Sequence, residues 1–258
     1  MTGRAAGEGD HYIYVLLNQS TGRFDRTDTI KLPSVTTVIG KVLHKESLLR
    51  WQHNQTRDNI SGMVGVLVDI GMTPEAIVDM LTDDTMLREY LEENRLRPQD
   101  MARDRAEEGR GAHKFLEKVA AWEGDLPAPE SRKDGYERAI LQWVWDTEPR
   151  IVESEKRVKS LRHGFAGTMD IAYITPEVRY VKCDMKTREV GRGAYESDFI
   201  QVGAYDIADT EMGGQPADLR TVLIVHPDGT YEEPISPYRP EVFLDLLAVY
   251  NELGLGVN

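Results

Sequence analysis

The stretch FAGTMDIAYITPEVRYVKCDMKT, Phe165 to Thr187, decides how this chain is read. Two runs rich in apolar, aromatic and β-branched residues, Phe165–Ile174 and Val178–Lys186, flank the turn Thr175-Pro176-Glu177 and predict adjoining strands. Successive side chains of a strand point to opposite faces. In Tyr180–Lys186 this places Lys182, Asp184 and Lys186 on one face and Val181, Cys183 and Met185 on the other, toward a core. On the preceding strand, Thr168, Asp170 and Ala172 are expected to share a face. If the strands pair, Asp170 and Asp184 converge with Lys186 beside them. Two close carboxylates repel unless a cation lies between them, so the pattern asks for a divalent metal. Hard oxygen ligands suit Mg2+ or Mn2+.

Outward from this stretch, the sequence predicts a further strand at Ile151–Val158, entering the first run through Arg162-His163-Gly164. A helix follows at Ser197–Asp209, then an apolar strand at Arg220–Val225, a turn at Pro227-Asp228-Gly229 into Thr230–Glu232, and an amphipathic helix at Pro240–Leu253. Three adjoining strands, a helix and another strand imply a mixed α/β fold, a central mixed sheet flanked by helices. The first 148 residues read differently. Residues 1–10 are small and polar, a disordered tail. Tyr12–Leu17 and Gly22–Arg26, around Asn18-Gln19-Ser20-Thr21, read as a hairpin. Helices are expected at Val35–Val42 behind the cap Ser34, from Leu48 onward, behind Thr73-Pro74-Glu75, and over residues 98–122 and 133–146. The expected organisation is one domain over 11–258, with a hairpin and helical region to 148 and the sheet-containing core from 149.

Composition narrows the classes. The chain has 258 residues, 40% hydrophobic and 29% charged, as in an ordinary globular protein. The N-terminal residues lack an apolar signal core and no long apolar run occurs, so neither secretion nor a membrane span is expected. The single cysteine, Cys183, cannot form an intrachain disulfide or supply a four-cysteine iron–sulfur cluster, so no such cluster is expected. The net charge of -13 opposes binding to phosphates. Yet residues 150–192 carry ten Lys or Arg against six Asp or Glu, while residues 193–258 carry two against twelve. A basic segment in an acidic chain is compatible with a confined DNA-contacting surface, and equally with a solvated strand and loop.

A lone Asp-x-Lys is frequent by chance, and alone it reads as an exposed strand with cross-strand ion pairs. Here four short motifs stand in order: Gly109-Arg110-Gly111-Ala112-His113, Gly167-Thr168-Met169-Asp170, Asp184-Met185-Lys186-Thr187 and Gln201-Val202-Gly203-Ala204-Tyr205. In that order they resemble the RecB-like branch of the PD-(D/E)XK nuclease superfamily, including phage-encoded and CRISPR-associated exonucleases. The resemblance covers roughly residues 105–226. Leu32-Pro33-Ser34-Val35-Thr36-Thr37, with Leu49 and Trp51, also looks like the N-terminal part of phage members. It implies metal ligation by His113, Asp170 and Asp184, with Lys186, Gln201 and Tyr205 completing the catalytic set. Gln201, Tyr205 and Arg188 are expected to contact DNA. Glu155, or Glu153 on the same strand face, offers a further carboxylate.

The doubled glycine, Gly109 and Gly111, departs from the motif and should loosen its helix. Without the motif, His113 would read as a core histidine beside Leu116 and Ala120, and Gln201 with Tyr205 as surface residues. The implied activity is Mg2+- or Mn2+-dependent hydrolysis of DNA, exonucleolytic, in phage or cellular recombination or repair. DNA and a recombination protein are the implied partners, and the cytoplasm (of the host, for a phage protein) the implied compartment. A structure-specific or restriction-like endonuclease and a nucleic-acid-binding protein without catalysis are the alternatives. Oligomeric state is not legible.

Overall fold

The computed structural model describes residues 6–8, 11–18, 23–43 and 46–256. It has a mixed α/β fold whose chain falls into two compact units, residues 1–44 with 111–258, and residues 45–110. The division differs from the expected break at 148/149.

In the larger unit, β1 (Ala6–Glu8), β2 (His11–Asn18) and β3 (Arg23–Pro33) form an antiparallel sheet in that order. Ala6–Glu8 lies within the expected disordered tail but pairs with His11–Ile13. The remaining tail residues, and the hairpin tip at 19–22, lie outside the described residues. α1 (Val35–Val42) starts where Ser34 accepts the Thr37 N–H, one of the amides that a helix start leaves without an internal partner.

The smaller unit holds α2 (Glu46–Asp69), α3 (Pro74–Thr82), α4 (Asp84–Glu93) and the start of α5 (Pro98–Ala120). Met63, Leu67, Ile77 and Met80 are its buried core. Thr73 caps α3 with Pro74 at its first position, as expected. Gly109 and Gly111 leave α5 unbroken.

The main sheet contains β4 (Arg150–Ser160), β5 (Phe165–Ile174), β6 (Tyr180–Thr187), β7 (Leu219–Val225) and β8 (Tyr231–Glu232), in that order. All neighbours are antiparallel except β6 and β7. Parallel neighbours need a long crossover, and α7 (Glu196–Glu211) supplies it. One face of the sheet is covered by Ala112, Phe115 and Leu116 of α5 and by Ile140 and Trp143 of α6 (Gly135–Thr147), packed on Ile171, Tyr173, Val181, Cys183 and Met185. The other is covered by α7, α1 and α8 (Val242–Glu252), with Ile200, Ala204, Tyr205, Val38 and Phe243 around Phe165, Met169 and Ala172. The hairpin, α1, the end of α5 and α6 therefore belong with the sheet because they bury its apolar faces. Among the described residues no helix is long and apolar enough to cross a membrane.

Candidate functional site

The alternation expected on β6 holds. Val181, Cys183 and Met185 are buried in the cluster under α5 and α6. Lys182 and Asp184 instead reach residues of α7. On β5 the alternation fails at the residue that matters. Thr168 bonds Tyr12 of the N-terminal hairpin (3.0 Å between hydroxyls), whereas Ala172 packs in the α7-side cluster, so the two do not share a face. The cause is local. The β4–β5 pairing runs from Ser154↔Ile171 to Lys156↔Met169 and skips Glu155 and Asp170, which stand opposite each other. Glu155 has φ +47°, a left-handed backbone that few residues other than glycine adopt. On its other side β5 pairs with β6 only as far as Ile171↔Cys183. Asp170 thus lies where both of its neighbours part from it, and its Oδ2 accepts the Met185 N–H at 2.7 Å.

This fork gathers the expected residues into two touching groups. In the first, His113 of α5, Glu155 and Asp170 each place one ligand atom within 4.8 Å of the others, with His113 Nδ1 3.5 Å from Asp170 Oδ1. Glu153, the alternative to Glu155, is not in it: its carboxylate pairs with Lys156, which also pairs with Asp209 of α7. The left-handed turn at Glu155 separates two side chains expected on one face. In the second group, Asp184 Oδ2 lies 2.5 Å from Lys186 Nζ, and Asp184 Oδ1 accepts from Gln201 Nε2 at 2.9 Å. The same Gln201 nitrogen donates to the Tyr205 hydroxyl at 2.8 Å. Asp184, expected to bind metal with His113 and Asp170, faces the lysine and the amide, and the side chain grouped with His113 and Asp170 is Glu155.

Tyr205 also explains a motif glycine. A Cβ on Gly167 would stand 2.4 Å from Tyr205 Cε1, so the phenol ring occupies the space a side chain would need.

The electrostatics follow from burial. Asp170 and Asp184 are 8% and 1% exposed. Burial, with the charge of Asp184 added, holds the Asp170 carboxyl well above the usual range. Burial also pushes Asp184 up, against the pull of Lys186. Burial would lower Lys186, but Asp184 and Asp170 overcome it and keep the ammonium charged. His113 is pushed down to about 4 by burial and by Lys186, so its imidazole is neutral near pH 7 and free to act as a ligand. Burial and the two aspartates raise the Tyr205 phenol, which stays protonated.

Arg188, expected to contact DNA, is ion-paired within the chain: its Nη2 donates to Asp198 Oδ2 at 2.8 Å, and its guanidinium lies 4.7 Å from the Tyr195 ring centroid. Cys183 is buried in the core, as alternation predicts. Sequence reasoning missed the partners of Lys182, which is fully buried between Asp206 (2.9 Å) and Asp209 (2.7 Å) of α7. A lysine on the same strand face as Asp184 was the available signal, and the i, i+3 pair of aspartates was its complement.

No family model matches the chain, and no curated protein matches it. Among solved structures, one described as "Crystal structure of SSO0001" is similar over 55% of this chain and 84% of that chain, at 12% sequence identity and a TM-score of 0.29. A likeness of that size carries no argument.

Proposed function

We propose that this protein is a Mg2+- or Mn2+-dependent deoxyribonuclease, acting from DNA ends in phage or cellular recombination or repair. The observation that carries the reading is the convergence of His113, Glu155 and Asp170 within 4.8 Å, beside the Asp184–Lys186–Gln201 group. The donor set fits a divalent cation: one neutral imidazole and two carboxylates, with Lys186 the single ammonium against Glu155, Asp170 and Asp184. The preference for ends, the biological setting and DNA as substrate rest on the motif resemblance alone.

Bound there, a divalent ion would polarise a phosphodiester and lower the pKa of an attacking water. The chain's own residues have separate tasks. His113, Glu155 and Asp170 would hold the ion, and Glu155 is the most exposed of the three. Lys186 carries a permanent positive charge that can stabilise negative charge developing on the phosphate. Gln201 fixes the orientation of Asp184, and its second bond ties that amide to Tyr205. The protonated phenol can donate to a phosphate oxygen without adding charge.

The test is digestion of end-labelled linear duplex, single-stranded and covalently closed circular DNA with Mg2+ or Mn2+, with a chelated control. Linear substrates should be degraded only with metal, and circles should resist. Homogeneous protein that leaves all three intact, or that cuts equally well after exhaustive chelation, would overturn the reading. Efficient nicking of circles would replace an exonuclease with an endonuclease.

A further inference from the structure

Arg188 leaves β6 two residues after Lys186, and its backbone is pinned to the end of β7. The Arg188 N–H donates to the Val225 carbonyl at 3.1 Å, and His226 Nδ1 lies 3.1 Å from the Arg188 carbonyl oxygen. From that fixed point the guanidinium reaches Asp198 with Nη2 and the Thr187 carbonyl with Nη1 (3.2 Å), lying over the Tyr195 ring. The Asp198 oxygen that receives Arg188 also accepts the Tyr195 N–H at 2.9 Å, closing the first turn of α7. Asp198 is 4% exposed. Gln201 follows three residues later, a neighbour of Asp198 on the helix surface, and ends on Asp184. The path therefore runs from the end of the sheet, through one ion pair and the first turn of α7, to the amide that orients Asp184.

Desolvation largely cancels the stabilising effect of a buried ion pair, so a pair in this place contributes geometry more than stability. We propose that Arg188 and Asp198 are positioning residues: their pair fixes where α7 begins relative to β6 and so delivers the Gln201 amide to Asp184. The catalytic consequence rests on the nuclease reading of the site; the positional claim does not.

Two single variants and their double test it. Arg188→Gln deletes the cation. Asp198→Asn deletes the anion but keeps an oxygen for the Tyr195 N–H. Each should slow single-turnover cleavage about tenfold, and the double should be no slower than either single, as residues acting as one unit are non-additive. DNA affinity without metal should stay within about twofold of wild type, because no phosphate contact is lost. A direct phosphate contact by Arg188 predicts the reverse: Arg188→Gln would weaken DNA binding and flatten its salt dependence, and Asp198→Asn would tighten it. That result overturns the proposal, as do variants that melt earlier yet cleave at wild-type rate below their melting point.

A readout without catalysis separates the two levels. Amide hydrogen exchange over the first turn of α7 and at Gln201 should be about tenfold faster in each single variant, and equal in the double. Unchanged exchange sinks the positional claim even in an active nuclease. Accelerated exchange in a protein that never cuts DNA leaves that claim standing and sinks only the nuclease reading. Should Arg188→Gln fail to fold, Arg188→Lys keeps a cation near Asp198 without the planar fork, and protection within about threefold of wild type is expected; protection lost entirely in that variant counts against the pair.

Discussion

Two lysines on one face of β6, four residues apart and under the same helix, sit in opposite electrostatic settings. Around Lys182, three cations (Lys156, Lys182 and Arg220) meet three carboxylates (Glu153, Asp206 and Asp209) in a closed set of ion pairs. Around Lys186, one ammonium meets Asp184, with Asp170 and Glu155 adjoining and His113 neutral. The first set sums to zero. The second leaves an excess of two negative charges when its carboxylates are ionised. Carboxyl groups respond accordingly: burial raises Asp209, but hydrogen bonds from Lys156 and Lys182 outweigh it and hold the group below its ordinary value, whereas Asp170 stays well above. A balanced buried cluster fastens a helix to a sheet, and an unbalanced one has capacity for a cation supplied from outside.

Substitutions in the two clusters should therefore fail in different ways. The largest effect is expected from Asp170→Asn, which keeps the acceptor for the Met185 N–H but loses a ligand. Cleavage should fall by about a thousandfold or more, while the chelated protein melts no earlier than wild type, since a crowded carboxyl has been neutralised. Rates and melts on the same preparation check both halves. A large loss of stability with activity retained per folded molecule would put Asp170 in the fastening class.

Lys182→Met should do the opposite. It leaves Asp206 and Asp209 buried without their central partner, at a cost of about 3–5 kcal/mol. Folded molecules, counted by urea titration, should still cleave at close to the wild-type rate. Lys186→Met should leave the fold intact and metal binding equal or tighter, because a competing cation is gone. Single-turnover cleavage should drop about a hundredfold, the scale of one lost electrostatic stabiliser. Near wild-type cleavage by this variant would remove Lys186 from the chemistry and weaken the distinction between the two lysines.

The smallest effect concerns acid. Asp209 is held below its ordinary 3.8, so its ion pairs contribute stability at pH values above 3.8, lost as pH falls through the native value. The stability gap between wild type and Asp209→Asn, from urea midpoints, should be constant near neutrality and close below about pH 3.8. A gap that persists at lower pH would show that the pairing does not depend on the Asp209 charge.

Much of this was legible in the residues. The alternation Val181, Cys183, Met185 against Lys182, Asp184, Lys186 survives because β6 is regular and paired with β7 without a break from Val181 to Thr187. The mixed sheet and its α7 crossover follow from the order of periodic segments. What escaped depended on backbone geometry that residue names do not carry. Nothing in the name glutamate announces φ +47° at Glu155, the point where the β4–β5 ladder skips both Glu155 and Asp170. The ion pair of Arg188 was not foreseen either, because its partner, Asp198, lies ten residues away across a loop. The break at 148/149 followed a change in local pattern, whereas the compact units follow which helices cover the sheet.

The contact between Gly167 and Tyr205 makes two distant positions one unit of inheritance. A methyl group at 167 collides with the ring, and a smaller residue at 205 leaves a hole above 167 and removes the hydroxyl that Gln201 holds. Neither position can drift first without passing through a poorly packed intermediate. If both were randomised together and functional clones sequenced, glycine and tyrosine should return as a pair, and the two motifs that carry them should be lost together or kept together.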